Sequence, residues 1–465
     1  MHAPPSPFLE GNYAPVRREL DAPQLPVIGE LPADLEGLYL RNGPNPQFDP
    51  PGPYHWFDGD GMLHGVRISR GRASYRNRYV RTRTWEYEAA EGRALWPGMS
   101  EAPRFDLPEG IFIKHTANTA LVHHAGRLLA LMEATVPYEV RASSLETVGP
   151  YDYQGLLRAP MTAHPKVDPA TGEMLFFGYQ VMPPSAVYSV ASPAGEIVHT
   201  AEIELRFPVM MHDFAVTERY AVLLDLPLAF DAERMMAGRF PVVYRRELGA
   251  RIGVLPRRGG AGDVRWFDVA PGAVFHTVNA WEEGDVVVLT ACRMERTDVL
   301  AAHLHDPGEA PPTDFGRLHR WRLDLATGSA TEEPLDDVPC DFPRIHDGLV
   351  GRPQRYAYVG RVGADGGDQR FTGVMKYDLR TGSAETHAWG RGRTGGEAVF
   401  VPRAGARDED DGYLLGFVWD QLEQRSELVV VDARDLFARP LARVVLPQRV
   451  PYGFHGAWLD ASQLR

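Results

Sequence analysis

The sequence is poor in the features that mark secreted and membrane-spanning proteins. It has only two cysteines, Cys292 and Cys340, which are too few for a disulfide framework and typical of a reducing cytosol. No run of about 18 apolar residues occurs, so no membrane-spanning helix is predicted. The opening 16 residues lack both a basic and an apolar segment, so no secretory signal is predicted either. Together these absences predict a cytoplasmic protein.

Excess positive charge and long helical periodicity are also missing. The formal net charge is −13, which argues against a nucleic-acid partner because neutralising phosphates requires clustered Lys and Arg. The best helix candidate is short, residues 230–240, with Asp231 as its N-cap. No feature indicates an obligate protein partner.

Glycine, proline and short apolar runs are abundant. The 46 Gly and 39 Pro are spread along the chain, and runs of four to eight residues alternate with turn clusters, as in "GRLLALME", "EMLFFGYQ" and "DVVVLTACR". This pattern is typical of an all-β protein. At 465 residues the chain exceeds the usual size of one compact core, about 250 to 300 residues, so it forms either two domains or one closed β architecture.

A weak internal repeat favours the closed architecture. An Asp-x-x-Thr-Gly turn occurs at 168–172, 324–328 and 378–382. The last two begin 54 residues apart, Asp432 lies another 54 on, and the first precedes the second by 156, close to three further steps. A period of about 50 residues predicts a β-propeller in which seven or so blades use the whole chain, 1–465, as a single domain. The alternative is that this turn is merely a common hairpin turn.

Some segments do not fit the blade period. Residues 229–265 and 300–316 are predicted to be inserts that gather on one face and form a loop and helix cap over the axis. A cap over a metal axis would create a tunnel. The first insert mixes apolar residues with arginines, so it either packs on the propeller or makes peripheral contact with a membrane surface; the arginines include Arg245, Arg246, Arg251, Arg257 and Arg258.

Four of the sixteen histidines stand at the start of apparent β-strands: His164, His212, His276 and His455. The intervals of 48, 64 and 179 residues are too long for a local metal loop but suit a ring that brings distant strands to one axis. If the side chains converge, they form a mononuclear metal site with four imidazole ligands. The alternative for each is an ordinary core histidine.

Imidazole ligands suit Fe, Cu, Zn and Ni, so the residues alone leave the metal open. Metal-bound histidine usually donates its other ring N–H to a carboxylate. Glu133, Asp341 and Glu397 lie in apolar or turn-bounded strand contexts and offer one acid for each of three imidazoles. Each alone could be a surface or capping acid.

The chain resembles the carotenoid cleavage oxygenase family over essentially its whole length. The motifs that carry the resemblance are "LEGLYLRNGPNPQ" (35–47), "HWFDGDGMLHGV" (55–66), "HTANTALVHHAGRLLALME" (115–133), "TAHPKVDPATGE" (162–173), "MHDFAVTERYAV" (211–222), "FHTVNAWEEGD" (275–285), "DFPRI" (341–345), "GEAVFVPR" (396–403) and "YGFHGAW" (452–458).

The resemblance implies a seven-bladed propeller that holds Fe(II) through His164, His212, His276 and His455, with Glu133, Asp341 and Glu397 as outer acids. It further implies a dioxygenase that adds O2 across a conjugated C=C bond and yields two carbonyl products. Thr119 matches a threonine whose methyl crowds a vacant coordination position. The family usually has Glu where this chain has Asp341, so either a water bridges the acid to its imidazole or the backbone moves inward.

The residues that flank the site motifs predict the walls of an apolar substrate tunnel: Phe57, Met132, Phe275 and Phe342. Plain core packing is the alternative for each. Stilbene-cleaving members resemble one another in a Lys and a Tyr that engage a phenol, at the positions of Met132 and Trp85 here. The apolar Met132 therefore favours a carotenoid or apocarotenoid over a stilbene or vinylphenol. Further alternatives are a retinoid isomerohydrolase-like enzyme that consumes no O2, and a non-catalytic lipid-binding propeller.

Overall fold

The computed structural model describes residues 6–295, 315–363 and 371–464. They form seven antiparallel sheets arranged as the blades of a β-propeller, which confirms the predicted all-β fold. The predicted insert at 300–316 lies outside the described residues except for its last two. Within the described ranges, no helix combines the length and apolar character that crossing a bilayer requires.

Blades 1 to 5 each have four strands, whose order across the sheet follows their order along the chain. Blade 1 contains Ala120–His124, Arg127–Leu131, Tyr138–Val140 and Thr147–Pro150; blade 2 contains Lys166–Val167, Met174–Val181, Pro184–Ala191 and Ile197–Glu204; blade 3 contains Ala215–Val216, Tyr220–Asp225, Ala250–Pro256 and Arg265–Val269. Blade 4 contains Ala273–Glu283, Val286–Met294, Arg317–Asp324 and Ala330–Pro334; blade 5 contains Cys340–Arg344, Tyr356–Val362, Phe371–Asp378 and Ser383–Ala388.

Blades 6 and 7 combine strands from both ends of the chain. Blade 6 contains Arg393–Thr394, Val399–Pro402, Gly412–Asp420, Arg425–Asp432, Ala442–Val445 and, at its edge, Val27–Gly29. Blade 7 contains Gly456–Asp460, Gly37–Pro44, Gly61–Ser69, Arg72–Tyr79 and Asp21–Ala22. The pairing of Gly37–Pro44 with Gly456–Asp460 closes the ring, because it places blade 7 between blades 1 and 6.

Apolar side chains fill the spaces between neighbouring blades. Ala273–Glu283, the first strand of blade 4, is buried over its first nine residues because it has blades on both sides and the axis at its edge. Arg72–Tyr79 in blade 7 alternates buried and more exposed positions, as expected of a strand with one solvated face. Burial on the inner strands and alternation on the outer ones explain why short apolar runs dominate the sequence.

The sequence repeat is only partly a blade repeat. The turns at 324–328 and 378–382 begin where the third strands of blades 4 and 5 end, counted outward from the axis, and Asp432 ends the corresponding strand of blade 6. The turn at 168–172 instead joins the first two strands of blade 2, so its spacing from the others is not three blade steps. That part of the repeat analysis was wrong, because the same Asp-x-x-Thr-Gly hairpin serves two different connections.

Two α-helices of the described residues lie in connections outside the blades. The predicted helix is present but shorter, Ala232–Met236, with Asp231 as its N-cap accepting the Arg234 N–H. It belongs to an insert with a two-stranded ribbon, Leu228–Phe230 and Val242–Tyr244. Because Ala250–Pro256 is a strand of blade 3, this insert ends earlier than the predicted residue 265. A second helix, Arg83–Glu91, is capped by Thr82 and was not predicted.

Candidate metal centre

The four selected histidines come from four blades. His455 directly precedes the first strand of blade 7, His164 and His212 lie within three residues before the first strands of blades 2 and 3, and His276 lies in the first strand of blade 4. All four are buried or nearly so. Since the first strands surround the propeller axis, residues that are far apart in sequence meet there.

The four imidazoles converge through their ring nitrogens. One ligand nitrogen from each lies within 4.8 Å of the other three. The Nε2 atoms of His164 and His212 are 2.9 Å apart, and those of His276 and His455 are 3.2 Å apart. Neighbouring rings are mostly perpendicular, with an angle of 83° between His164 and His455, as expected of rings that face one central point.

Three imidazoles bond outward to the three predicted acids. The Nδ1 atom of His212 donates to Glu133 Oε2 at 2.6 Å, that of His276 to Asp341 Oδ1 at 2.8 Å, and that of His455 to Glu397 Oε1 at 3.0 Å. Within the described ranges, His164 has no acid at this distance. The acids come from blades 1, 5 and 6, so each of the seven blades supplies one group.

The donor set fits a divalent metal. The carboxylates accept from Nδ1, which leaves the Nε2 atoms of His212, His276 and His455 as the atoms available to bind a metal. Two nitrogens at right angles on a metal with bonds of about 2.1 Å lie about 3.0 Å apart, against about 3.4 Å for tetrahedral ligands. The 2.9 Å separation matches right-angled positions, and the 3.2 Å separation lies between the two values, so both pairs are close enough to share one ion. Three outer carboxylates offset the ion's charge.

Burial and neighbouring charges set the protonation of the site. Burial, with the other imidazoles adding to it, holds the pKa of His164 well below its usual range. Burial also lowers the pKa of His455 to about 4 although Glu397 opposes it. For Glu397 burial alone would raise the pKa, but Arg344 and His455 outweigh it and the pKa is lowered. His164 and His455 are therefore neutral at pH 7, the form that binds metals.

Asp341 reaches His276 without a bridging water because its strand is bulged. In blade 5, Asp341 pairs with Gly360 and Arg344 pairs with Tyr358, so the first strand has one residue more than its partner over this stretch. Phe342 has a φ of +54°, and its N–H bonds to Asp341 Oδ1 at 2.8 Å. A bulge re-aims a side chain, which favours the second of the two predicted explanations, a backbone that moves inward.

A cavity of about 740 Å³ lies over the metal centre. Its walls are mainly aromatic and aliphatic, and His212, His276 and His455 face it. The insert between Leu226 and Ala250 and the connection from Arg81 to Asn118 both contribute to it, through Phe230, Phe240, Trp96 and Met99 among others. The volume is that of a typical pocket for a small organic molecule.

All the residues predicted as tunnel walls line this cavity: Phe57, Met132, Phe275 and Phe342. Phe342 packs beside the imidazoles, with its ring centroid 4.9 Å from that of His455 and 5.2 Å from that of His276. Thr119 also lines the cavity, and its hydroxyl donates to Asn118 Oδ1 at 3.0 Å. Trp85 is not among the lining residues. Of the two positions compared with stilbene-cleaving members, only Met132 therefore bears on the substrate class.

Sequence reasoning missed several residues of the site. Tyr179 donates its hydroxyl to Glu133, and Asn118 binds the backbone of Phe57 and Gly59. Lys114 lines the cavity and forms ion pairs with the buried acids Asp60 and Glu88, at 3.0 and 2.9 Å. Only Asn118 had a local signal, since it adjoins Thr119. The others depend on contacts between blades, which no local pattern reports.

Comparison with protein families gives a match over nearly the whole chain. A sequence model described as "Retinal pigment epithelial membrane protein" matches residues 13–460. The carotenoid 9,10(9′,10′)-cleavage dioxygenase 1 of Arabidopsis thaliana is 40% identical, over 99% of this chain and 91% of that protein.

Solved structures give the same fold. A lignostilbene dioxygenase of Pseudomonas brassicacearum superposes with a TM-score of 0.92 at 34% identity, covering 99% of this chain and all of that one. A cobalt-substituted apocarotenoid oxygenase of Synechocystis gives a TM-score of 0.86 at 29% identity, covering 96% and 97%. These relatives include enzymes named for isoprenoid and for stilbene substrates.

Proposed function

The chain belongs to the retinal pigment epithelial membrane protein family, the family of the carotenoid cleavage oxygenases, and on that premise we propose that it is a non-haem Fe(II) dioxygenase of carotenoids or apocarotenoids. The observation that carries the proposal is the convergence of four imidazole nitrogens, within 4.8 Å of one another, at an apolar cavity. The metal, its ligands and the substrate are all part of the proposal.

His164, His212, His276 and His455 would hold the metal, and Fe(II) there would supply the redox chemistry that O2 needs to react with an alkene. Glu133, Asp341 and Glu397 keep the Nδ1 protons in place and orient three of the rings. Thr119, with its hydroxyl held by Asn118, directs its methyl toward the centre in this proposal and restricts what binds beside the imidazoles.

The cavity residues hold the substrate. Phe57, Met132, Phe275 and Phe342 present apolar surface to a conjugated chain and keep one double bond near the imidazoles, which is the positioning that such a reaction requires. The reaction breaks this C=C bond and gives each carbon one oxygen atom of O2. Alkene and O2 thus become two carbonyl compounds without any other oxidant or reductant.

A phenylpropanoid alkene is the second candidate, since the lignostilbene dioxygenase superposes with a TM-score of 0.92. A phenol needs a polar partner in the tunnel. Lys114 faces the cavity, but its ammonium is already bound by Asp60 and Glu88, and Met132 offers no charge. These two residues favour the polyene.

Product analysis on a small panel tests the proposal. Protein loaded anaerobically with Fe(II) and then given O2 should convert β-apo-8′-carotenal or β-carotene into two shorter carbonyl products with O2 uptake. Cleavage of only resveratrol or 4-vinylguaiacol would transfer the assignment to the second candidate. An isomerised product without O2 uptake would indicate an isomerohydrolase, and no turnover of any compound would refute the proposal.

The proposal includes contact with a membrane surface, from which an apolar substrate would enter. Phe105, Phe112, Met182 and Met235 all line the cavity and are also exposed to solvent, Met182 to 87% and Phe105 to 71%. Large exposed apolar groups that belong to the wall of one cavity favour contact with lipid or with an apolar ligand. The two free buried cysteines support a cytoplasmic location for the enzyme.

A further inference from the structure

Tyr179 connects the wall of blade 2 to the metal centre. Its hydroxyl donates to Glu133 Oε1 at 2.8 Å, and the other oxygen of the same carboxylate accepts from His212 Nδ1 at 2.6 Å. The opposite nitrogen of His212 is one of the four that converge. Three side chains from three different blades or blade connections thus form one line of hydrogen bonds.

The three outer acids are fixed in different ways. Glu397 also accepts the Gly456 backbone N–H at 2.6 Å, and Asp341 also accepts the N–H of Phe342. Within the described residues, Glu133 accepts no backbone N–H, and Tyr179 is its second donor. Glu133 also lies in a turn rather than a strand, so its own backbone is less constrained than that of Asp341.

The ring of Tyr179 is itself held in place. It occupies the second strand of blade 2, opposite Ala186, and its centroid is 5.8 Å from that of Phe230 in the insert that covers the axis. A hydroxyl on a strand-bound ring has little freedom, so it fixes the carboxylate to which it donates.

We propose that Tyr179 is a positioning residue for the metal centre, which acts by orienting Glu133 and, through it, His212. The inference rests on one part of the proposed function, the binding of a metal by the four histidines, and not on the cleavage of an alkene. It assigns Tyr179 to metal retention although the side chain also lines the cavity.

The test is Tyr179→Phe, which removes one oxygen and keeps the ring. We expect Fe(II) to leave the loaded variant about 10-fold faster in the presence of a chelator, the low end of what loss of an outer partner costs. The absorption bands of the Co(II)-loaded protein should also shift, because His212 is less firmly oriented. Thermal unfolding of the metal-free protein should change little.

Tyr188→Phe is the matched control. Tyr188 lies in the neighbouring strand of the same blade, is fully buried, and donates its hydroxyl to the Arg257 carbonyl oxygen rather than toward the metal centre. The Tyr188→Phe variant should be less stable than the wild type but should release the metal at the same rate. Equal release rates in the two variants would overturn the inference.

A double-mutant cycle separates orientation from a general effect. In the Glu133→Gln background, Tyr179→Phe should have little further effect on metal release, because the carboxylate through which it acts has gone. Additive effects would overturn the inference. A wild-type protein that binds no metal would refute both the inference and the proposed function, whereas a wild type that binds metal but cleaves no alkene would refute only the latter.

Discussion

Asp341 reaches His276 directly because the strand that carries it has an extra residue before Arg344. The left-handed conformation of Phe342 is unfavourable for a residue with a side chain, by roughly 1–2 kcal/mol. Strain of this kind persists where the surroundings fix it, and here the fixed contact is the one to a histidine of the centre. The strained backbone at Phe342 therefore compensates for the short side chain of Asp341 by bringing its carboxylate to His276.

Substitutions at Asp341 test this relation. Asp341→Asn keeps an oxygen to accept the His276 N–H but removes the charge, so metal affinity should fall about 10-fold, and Asp341→Ala should cost up to about 100-fold. Asp341→Glu should also weaken retention, because its extra carbon extends the side chain by about 1.5 Å into a contact already at 2.8 Å. Co(II) titration measures all three. Tighter binding by the Glu variant would contradict this account.

Asp58 gives the stability a specific pH dependence. Burial raises its pKa to about 6 although the backbone N–H groups of His55 and Met99 donate to it. The folded state thus holds the proton more tightly than the unfolded chain, so this contribution to stability is full below about pH 4 and disappears as the pH rises through 6. The stability advantage of the wild type over Asp58→Asn should shrink by roughly 2 kcal/mol between pH 4.5 and 7.5.

Denaturant unfolding of both proteins at the two pH values measures this difference. An advantage that stays constant or grows with pH would show that Asp58 ionises normally in the folded state.

Single residues of the centre were predictable only as candidates. The four histidines share a local signature, an apolar run ended at a strand, and the three acids were chosen from similar contexts. Which acid binds which imidazole was not predictable, because Glu133 and His212 are 79 residues apart and meet only when blades 1, 2 and 3 assemble. Tyr179 was missed for the same reason.

Gly178 shows how one strand holds the segment that carries His164. A Cβ added at Gly178 would lie 1.6 Å from the Pro160 carbonyl oxygen, so the segment packs directly on the strand's backbone. The Thr162 N–H then donates to the Phe177 carbonyl oxygen at 2.6 Å, and Thr162 Oγ1 accepts from the His164 N–H. The absence of a side chain here allows the close approach.

Gly178→Ala should therefore displace the segment and with it His164. We expect a lower melting temperature and faster metal release. Gly262→Ala is the control, because a Cβ there meets nothing within 4 Å. If Gly178→Ala retains metal as well as the control does, the position of His164 does not depend on this contact.

Elements were predictable where their pattern is local. Strands appeared as apolar runs, and Asp231 marked the start of the helix Ala232–Met236. The helix Arg83–Glu91 was not predicted, because only Thr84 and Glu88 in it are buried and it lacks an apolar stripe. The end of the middle insert was misplaced, since Ala250–Pro256 resembles the insert in composition but pairs with Tyr220–Asp225.

At the scale of the molecule, the centre joins blades 2, 3, 4 and 7. A metal held by all four histidines would cross-link residues up to 291 positions apart, from His164 to His455. Binding to the folded state alone adds stability with metal concentration, about 2.7 kcal/mol at 100 times the Kd. Thermal unfolding with increasing Co(II) should show this rise in the wild type.

His455→Ala should lose most of that stabilisation, because it removes the ligand that joins the last blade to the others. An equal gain in the variant would mean that the metal acts elsewhere or without this histidine.

We expect lipid binding to depend both on the net charge and on the exposed apolar residues of the cavity wall, here called the rim: Phe105, Phe112, Met182 and Met235. Phe112→Ser with Met182→Ser removes two exposed apolar groups at the cavity opening and should weaken co-sedimentation with phosphatidylcholine vesicles at least 10-fold, since burying each group contributes roughly 1.5–3 kcal/mol. Anionic vesicles should bind the wild type less than neutral ones because the net charge is −13.

Phe437→Ser is the control for the rim, because Phe437 is 78% exposed but does not line the cavity. It should bind neutral vesicles like the wild type. A similar loss in this control would mean that general surface hydrophobicity, rather than the rim, drives binding.

Blade 7 takes its first strand from the far end of the chain, just after His455, and pairs it with Gly37–Pro44. On the ribosome, Gly37–Pro44 emerges roughly 400 residues before its partner, a delay of about 20 to 80 s at common rates of synthesis. During that time one edge of Gly37–Pro44 lacks its partner strand, and the chain carries at most three of the four histidines. A metal could therefore be held by all four histidines only after translation is almost complete.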